Sequence, residues 1–196
     1  MPVPVELRTE RLLLRPWRAG DAARLRPVLV ANESHLGPWI PARVAEPVPL
    51  PELARRLAGF AADFLAAREW RYGLFTADER DLLGEVGLYP RDATERVPYA
   101  AADRVEIGYW LRADRTGQGL ATEAARTVLA VAAELPGLTQ AEIRCDARNA
   151  PSAAVPQRLG FRLATTIRQP AASAAPAIDL QLWTRALPGA TVGEGG

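Results

Sequence analysis

The chain has 196 residues, 48% hydrophobic and 24% charged, and its 24 basic and 23 acidic side chains nearly balance, as in one ordinary globular domain with no bias toward nucleic acid or anionic membranes. Every basic side chain is arginine, so the chain lacks the lysine on which Schiff-base enzymes, pyridoxal-phosphate enzymes and P-loop nucleotidases depend. With one histidine, His35, and one cysteine, Cys145, it can form neither an internal disulfide nor a closed zinc site, although oxygen ligands for Mg²⁺ or Ca²⁺ stay open.

The first quarter of the chain predicts a strand, a helix and an irregular segment. A leucine run makes residues 11–15 a buried first strand. Gly20-Asp21 is typical of a helix start, and Pro27 is expected to shorten or kink the helix that follows. Because five prolines lie between positions 38 and 51, residues 36–51 are predicted to be an irregular connection.

The middle of the chain predicts a helix, a hairpin and a fourth strand. Apolar residues three and four positions apart indicate an amphipathic helix over 52–68. Two β-like runs, 70–75 and 82–89, flank a polar turn and predict a hairpin. Residues 104–111 alternate between apolar side chains and a second set, Glu106, Gly108 and Trp110, as expected of a strand with two different faces.

The last third of the chain alternates helices with strands. A helix is predicted from Leu120 until Pro136-Gly137 ends it, a strand over 141–147 and a short helix over 149–159. Two final strands are predicted at residues 161–167 and 178–183. This order of elements is typical of a mixed α/β sheet, and we expect one domain over 1–187 followed by a flexible glycine-rich tail over 188–196.

The most specific local feature is the glycine turn Thr116-Gly117-Gln118-Gly119 between the fourth strand and a helix. Glycines allow a sharp turn and close approach of a ligand, and the free N–H groups and dipole of a helix N-terminus favour an anion such as phosphate. A tight turn without any ligand stays open as the simpler interpretation. A Rossmann dinucleotide site is disfavoured because Thr122 stands where its third glycine would be.

Four blocks in this order resemble the GNAT superfamily of acyl-CoA-dependent N-acyltransferases, and within it the RimJ/RimL-like branch. The blocks, which together span nearly the whole chain, are Leu7 to Pro16, Glu106 to Leu111, Gly117 to Ala124, and Asn149 to Ser152 with Arg158 to Phe161. The resemblance implies an α/β fold with a mixed, mostly antiparallel twisted sheet of about seven strands and about four helices. It also implies that the fourth and fifth strands splay apart.

The resemblance implies acetyl-CoA, or another short acyl-CoA, as co-substrate, and no metal. The family's pyrophosphate loop aligns with the glycine turn, although its first defined position falls on Thr116 instead of glutamine or arginine. Because such a loop holds phosphate mainly through backbone N–H groups, the cradle is expected to survive this change. The cofactor contacts implied are Trp110, Leu111, Arg112, Gly117, Gln118, Gly119, Leu120, Ala121, Thr122, Asn149 and Ser152.

Acyl transfer to an amine requires a group that takes the amine proton, and Glu106 is our candidate. A primary amine is mostly protonated at neutral pH, so a carboxylate acting directly or through water is suited to the task. The resemblance places the family's frequent general-base glutamate on this strand. A purely structural pairing of Glu106 with an arginine of the sheet stays open, and Glu85 on the third strand is the reserve candidate.

The leaving thiolate also needs a proton, and here the sequence departs from many relatives. The tyrosine that many of them carry seven residues after the asparagine is replaced by Pro156, which has no proton to give. In the RimL-like branch the serine of Asn-x-x-Ser is the proposed donor, so Ser152 inherits that role. The alternative is that Ser152 and Asn149 only cap the first turn of their helix.

The acceptor pocket is the part of the site that the sequence defines least. In relatives the segment around His35 and Trp39 borders that pocket, and Tyr72 could line it as well, although aromatic residues at such positions are more often core. Glu85 is placed with them as an acceptor-side residue. Cys145 alternates with apolar neighbours and is expected to be a buried, inert thiol and not a nucleophile.

These observations predict an N-acetyltransferase that moves an acetyl group directly from acetyl-CoA to a primary amine in a ternary complex. The amine would be a protein N-terminus or a small molecule such as an amino sugar, an amino acid or a polyamine. A non-catalytic acyl-CoA-binding sensor or scaffold is the alternative. The N-terminal segment has no signal-peptide layout, so a cytoplasmic location is expected. Dimerisation is common in this branch, but no surface in the sequence argues for a homodimer.

Overall fold

The computed structural model describes residues 3–169 and 177–188, and most of the glycine-rich tail expected at 188–196 lies outside this range. The described residues form an α/β fold around one mixed eight-stranded sheet with the strand order β1-β2-β3-β4-β5-β6-β8-β7. The strands are Leu7–Arg8 (β1), Leu12–Pro16 (β2), Trp70–Thr76 (β3), Leu82–Arg91 (β4), Arg104–Leu111 (β5), Gln140–Asp146 (β6), Arg162–Gln169 (β7) and Ile178–Ala186 (β8).

Six helices pack against this sheet or connect its strands. They are Ala22–Ala31 (α1), Glu33–Leu36 (α2), Ala42–Ala45 (α3), Leu50–Leu65 (α4), Leu120–Ala133 (α5) and Ala150–Arg158 (α6). The seven strands expected from the sequence are all present, and β1 is an additional two-residue strand. The proline-rich connection contains two single-turn helices, α2 and α3, which are too short to give a periodic signal.

Neighbouring strands run antiparallel except β5 and β6, which are parallel. Only three residue pairs join these two strands, and the last of them is Glu106 with Glu142. Beyond this pair the strands separate, although β5 continues to Leu111. The splay expected between the predicted fourth and fifth strands is therefore present between β5 and β6, and it opens a passage through the sheet.

The two faces of the sheet differ in chemistry. The helix-α5 face carries the larger apolar core, in which Val105, Ile107 and Ile143 pack with Ala124 and Val128 of α5. On the opposite face a second apolar core, around Trp17, Leu25 and Phe75, packs with α1 and α4 and reaches Leu82 and Trp110 at one end of β4 and β5. The centre of that opposite face, which we call the charged face, carries Arg71, Glu85, Tyr89, Glu106 and Glu142.

Candidate active site

A cleft of about 1240 Å³ follows the splay and is lined by residues of both sheet faces. From β5 it is lined by Ile107, Tyr109 and Leu111 on the helix-α5 face, and by Glu106, Gly108 and Trp110 on the charged face. A pocket at a break in a sheet can take one reactant from each side. The glycine turn and α6 flank the side of the helix-α5 face, and the α2–α3 segment flanks the other side.

The glycine turn has the backbone geometry expected of an anion cradle. Gly117 and Gly119 have φ values of +74° and +78°, which glycine adopts without the steric cost that other residues pay. Helix α5 begins at Leu120, and Gly119 caps it without a side chain. The N–H groups of the first helical turn therefore lack intrahelical acceptors and lie open at the rim of the cleft.

An arginine immediately before β2 holds this turn in place. The Arg11 guanidinium donates to the carbonyl oxygen of Gln118 at 2.9 Å and to Glu123 Oε2 at 2.7 Å from its Nε. Partial burial opposes ionisation of Glu123, but hydrogen bonds from Thr9 and Arg11 overcome it and lower the pKa of this carboxyl. Arg11 lies more than a hundred residues before the turn, so local sequence patterns could not place it there.

Thr122 supplies a second sign that this turn is built for a ligand. Its side chain is buried, and its Oγ1 has no hydrogen-bond partner among the described residues. A buried hydroxyl without a partner costs roughly 1–3 kcal/mol, so such groups usually mark a missing ligand or water. Thr122 lines the cleft within the first turn of α5, beside the open N–H groups.

Helix α6 forms the opposite wall of this side of the cleft. The Asn149 side chain caps the helix by accepting a hydrogen bond from the Ser152 N–H at 3.2 Å. Pro156 has no N–H, so it leaves the Ser152 carbonyl four residues earlier without its helical donor. The Tyr109 hydroxyl fills that vacancy with a hydrogen bond of 2.9 Å, and Ser152 Oγ lies 3.4 Å from the same hydroxyl.

Tyr109 and Cys145 lie with Ser152 on the helix-α5 side of the cleft. Tyr109 is not among the site residues predicted from the sequence, and the signal that could have located it is the hydrogen-bond donor lost at Pro156. Burial raises the pKa of the Tyr109 hydroxyl and that of the Cys145 thiol, the latter despite hydrogen bonds with Trp183 and Ser152. Cys145 is thus buried beside the cleft and protonated at neutral pH, as the sequence suggested.

On the charged face, Glu106 lines the cleft at the point where β5 and β6 separate. Arg91 donates to its Oε2 at 2.5 Å, and Arg96 donates to its Oε1 at 2.7 Å. Both oxygens are thereby fixed in orientation. The structure brings Glu106 into the cleft and also pairs it with arginine, so both interpretations of the sequence remain compatible with its surroundings.

Glu85 also lines the cleft, but it is almost fully buried and its carboxylate is hydrogen-bonded within the protein. Only 3% of its surface is exposed. Its two oxygens accept hydrogen bonds from Trp17 Nε1 at 2.6 Å and from Arg71 Nη1 at 2.8 Å. With both oxygens engaged by buried donors, Glu85 is better suited to hold Arg71 than to take a proton from a substrate.

The remaining candidates divide between the cleft and its surroundings. His35 and Trp39 line the cleft, as do Leu120 and Ala121 of the cradle. Tyr72 does not line it: this residue is fully buried on the helix-α5 face and its hydroxyl donates to the Pro4 carbonyl at 2.7 Å. The side chains of Arg112 and Gln118 turn back to Asp114 and also stay outside the cleft lining.

The described residues contain no group of three or more histidine, cysteine, aspartate or glutamate side chains arranged to hold a metal ion. None of the helices in the described part of the chain is long and apolar enough to span a membrane.

Comparison with known proteins agrees with this geometry. Residues 11–162 match the family model described as Acetyltransferase (GNAT) domain. The chain is 27% identical over 162 residues to the ribosomal N-acetyltransferase YdaF of Bacillus subtilis (strain 168), whose assignment is itself provisional, and the match covers 78% of each protein.

Two solved structures show the same fold. The first is RimL, a ribosomal L7/L12 α-N-protein acetyltransferase in complex with coenzyme A, with a TM-score of 0.78, 18% identity and coverage of 96% of this chain and 99% of RimL. The second is the microcin C7 self-immunity acetyltransferase MccE in complex with acetyl-CoA and AMP, with a TM-score of 0.80, 16% identity and coverage of 95% and 98%.

Proposed function

We propose that this chain, which belongs to the GNAT acetyltransferase family, transfers an acetyl group from acetyl-CoA directly to a primary amine within a ternary complex. The observation that carries the proposal is the cleft at the splay, which joins an anion cradle on the helix-α5 face to a carboxylate on the charged face. This arrangement lets the two reactants approach each other from opposite sides of the sheet.

The residues of the helix-α5 face fit the phosphate-bearing co-substrate. The open N–H groups of the α5 N-terminus and the partnerless Thr122 hydroxyl suit the pyrophosphate, and a side chain larger than that of Gly119 would enter its approach path. Bound acetyl-CoA supplies the activated acyl group as a thioester. Leu111 and Asn149 line this side of the cleft and would contact the pantetheine arm, and Trp110, on the charged face of β5, would meet the arm as it runs through the splay.

Ser152 and Glu106 divide the proton chemistry between the two sides of the cleft. Ser152 lies with Tyr109 on the helix-α5 side of the cleft, where its hydroxyl can hydrogen-bond the departing sulfur of CoA. Glu106 lies on the charged face, where its carboxylate can take the amine proton directly or through a water molecule. The two arginines that hold Glu106 keep it oriented toward the opening of the splay.

The acceptor is proposed to be a protein N-terminal amine or a small-molecule amine. The names of YdaF and RimL point to ribosomal proteins, whereas MccE is named for microcin C7 self-immunity and was solved with AMP beside acetyl-CoA. A cytoplasmic location belongs to this proposal, because ribosomal proteins are made and assembled there.

The test is an acetyl-transfer assay that detects released thiol, run with a serine-initiated hexapeptide, an alanine-initiated hexapeptide, glucosamine and spermidine. We expect turnover with at least one of these amines. Glu106→Gln should lower kcat by about a hundredfold, as for loss of a general base, with the Kd for CoA unchanged. The matched control is Asp63→Asn on α4, which removes a carboxylate outside the cleft that pairs with Arg68, and it should behave as the wild type.

The alternative function is an acyl-CoA-binding module without catalysis, and the observation that favours it is Pro156 in place of a proton donor. Such a module would bind CoA, release no thiol with any amine, and show no response to Glu106→Gln. If the wild type bound CoA but acetylated no amine, the binding module would be the better interpretation. If the wild type did not bind CoA, both functions would be refuted.

A further inference from the structure

Tyr89 lies across a gap in the side chains of the charged face. Gly87 and Gly108 are paired opposite each other on β4 and β5. A Cβ atom at Gly87 would lie 2.6 Å from the Tyr89 hydroxyl oxygen, and one at Gly108 would lie 3.0 Å from Cε2 of the same ring. The ring therefore folds back along its own strand over these two residues, and only glycine at both positions leaves room for it.

Two guanidinium groups fix the ring in this place. The Arg96 guanidinium carbon lies 3.9 Å from the ring centroid, and that of Arg71 lies 4.8 Å from it. Contacts of this kind are attractive because the face of an aromatic ring is electron-rich. Arg71 and Arg96 are themselves held by Glu85 and Glu106, so the position of the phenol is tied to both carboxylates of the cleft.

The hydroxyl of Tyr89 is the exception among the four tyrosines of the chain. The others each donate a hydrogen bond to a backbone carbonyl within the protein: Tyr72 to Pro4, Tyr99 to Pro136 and Tyr109 to Ser152. The Tyr89 hydroxyl has no such partner among the described residues. Glu85, the carboxylate with the strongest effect on this hydroxyl, has its oxygens engaged by Trp17 and Arg71.

The free hydroxyl lies over Gly87 on β4, level with the start of the splay, and the edge of the ring reaches Gly108 on β5. Pairing between β5 and β6 ends at Glu106, so Gly108 is on the part of β5 that borders the opening, and Tyr89 lines the cleft there. Burial raises the pKa of this hydroxyl, and Glu85 raises it further against the opposing effect of Arg71 and Arg96. The group thus stays a neutral phenol over the working pH range and can both donate and accept a hydrogen bond.

We propose that the Tyr89 hydroxyl binds the acceptor amine, accepting a hydrogen bond from its N–H and so directing the nitrogen lone pair through the splay toward the thioester. This inference rests on the proposed function and adds a substrate-binding residue to it. The Gly87–Gly108 pair is then the specificity element. Because neither residue has a side chain, the Tyr89 phenol can lie flat over them and line the acceptor side of the cleft.

The test compares Tyr89→Phe, which removes the hydroxyl alone, with Gly87→Ala, whose added methyl group displaces the ring. Tyr99→Phe is the matched control, because it removes a hydroxyl that donates to a carbonyl outside the cleft. Steady-state kinetics are measured with acetyl-CoA and the amine of the panel that the wild type acetylates fastest. Thermal unfolding checks that each variant is folded, and CoA binding is measured alongside.

We expect Tyr89→Phe to lower kcat/KM for the amine roughly tenfold, as for loss of one hydrogen bond, while KM for acetyl-CoA stays unchanged. Gly87→Ala should cause at least the same loss, and adding Tyr89→Phe to it should cause little more. Tyr99→Phe should keep the wild-type kinetics.

Wild-type kinetics in folded Tyr89→Phe would overturn the assignment and leave the proposed function standing. An equal loss for the amine and for acetyl-CoA would overturn it as well, because it would show a general structural effect. A wild-type protein that acetylates no amine of the panel would remove the proposed function and this inference together.

Discussion

The two faces of the sheet are built on different physical principles. On the helix-α5 face, apolar side chains at every second strand position pack against one amphipathic helix, and the functional groups beside them are mostly backbone N–H groups. On the charged face, the carboxylates of Glu85, Glu106 and Glu142 pair with arginines of neighbouring strands, and the functional groups are side chains held by that network.

This difference determines where a substitution should be felt. Changes to the cradle on the helix-α5 face should alter CoA affinity and leave folding largely intact, because few side chains there depend on one another. Changes to the charged face should alter stability or acceptor kinetics. Each buried charge there needs an oppositely charged partner to offset the free-energy cost of its desolvation. Three substitutions can break or sharpen this contrast.

The largest effect is expected from Arg71→Met on the charged face. Arg71 is 2% exposed and pairs with Glu85, which is 3% exposed, and with Glu69. Its removal leaves buried carboxylate without compensation, so the free energy of unfolding should fall by about 3–5 kcal/mol. Urea denaturation followed by tryptophan fluorescence measures the change.

The control for Arg71→Met is Arg168→Met, which breaks the exposed ion pair with Asp179. An exposed pair contributes about 0–1 kcal/mol, so this variant should remain close to the wild type. Equal stability losses in the two variants would contradict the view that burial makes the charged face interdependent.

The next effect is expected at the cradle from Gly119→Trp. The indole would fill the approach to the open N–H groups of α5 and should raise the Kd for CoA by about a hundredfold or more, equivalent to about 2.7 kcal/mol. Isothermal titration calorimetry measures the affinity. Gly119→Ala separates occlusion from backbone strain, because it places one methyl group at the same φ of +78° with only Arg11 Nη2 near it, at 3.7 Å.

We expect Gly119→Ala to lose far less CoA affinity than Gly119→Trp. If both variants bound CoA as tightly as the wild type, the cofactor would have to lie elsewhere, and the assignment of the glycine turn would fail.

The smallest effect is expected from Thr122→Val, which replaces the partnerless hydroxyl by a methyl group of similar size. Because the hydroxyl bonds to no described residue, its loss should not lower stability. CoA affinity should fall by about three- to tenfold if the hydroxyl meets the pyrophosphate. Paired calorimetry and thermal unfolding distinguish this result from an unchanged Kd with raised stability, which would make Thr122 a plain core position.

Much of the fold could be predicted because its elements carry periodic signals of their own. Alternation in residues 104–111 and the apolar stripe after Leu120 both arise from burial against one core. The local pattern is therefore enough to predict a strand and a helix there. The single-turn helices α2 and α3 and the two-residue strand β1 were missed, because four residues or fewer cannot display a period.

The candidate site was predictable on its backbone side and much less so on its side-chain side. The glycine turn can be recognised from its residue types, because glycine adopts these φ values without the steric cost that other residues pay. The bonds from Arg11 to the turn, from Tyr109 to Ser152 and from Trp17 to Glu85 join distant parts of the chain. The spacing of residues along the sequence does not reveal such contacts. For the same reason the sequence predicts Tyr72 in the acceptor pocket, although Tyr72 does not line the cleft.

The proline in helix α6 has a consequence for how this site can change over evolution. Tyr109 is bound to the carbonyl that Pro156 leaves free, so the two residues lock the walls of the cleft together. A mutation of Pro156 to tyrosine would return an amide N–H that competes for this carbonyl and would release the Tyr109 phenol. The two positions are therefore expected to be exchanged as a pair, and a lineage that holds one of them is biased toward keeping the other.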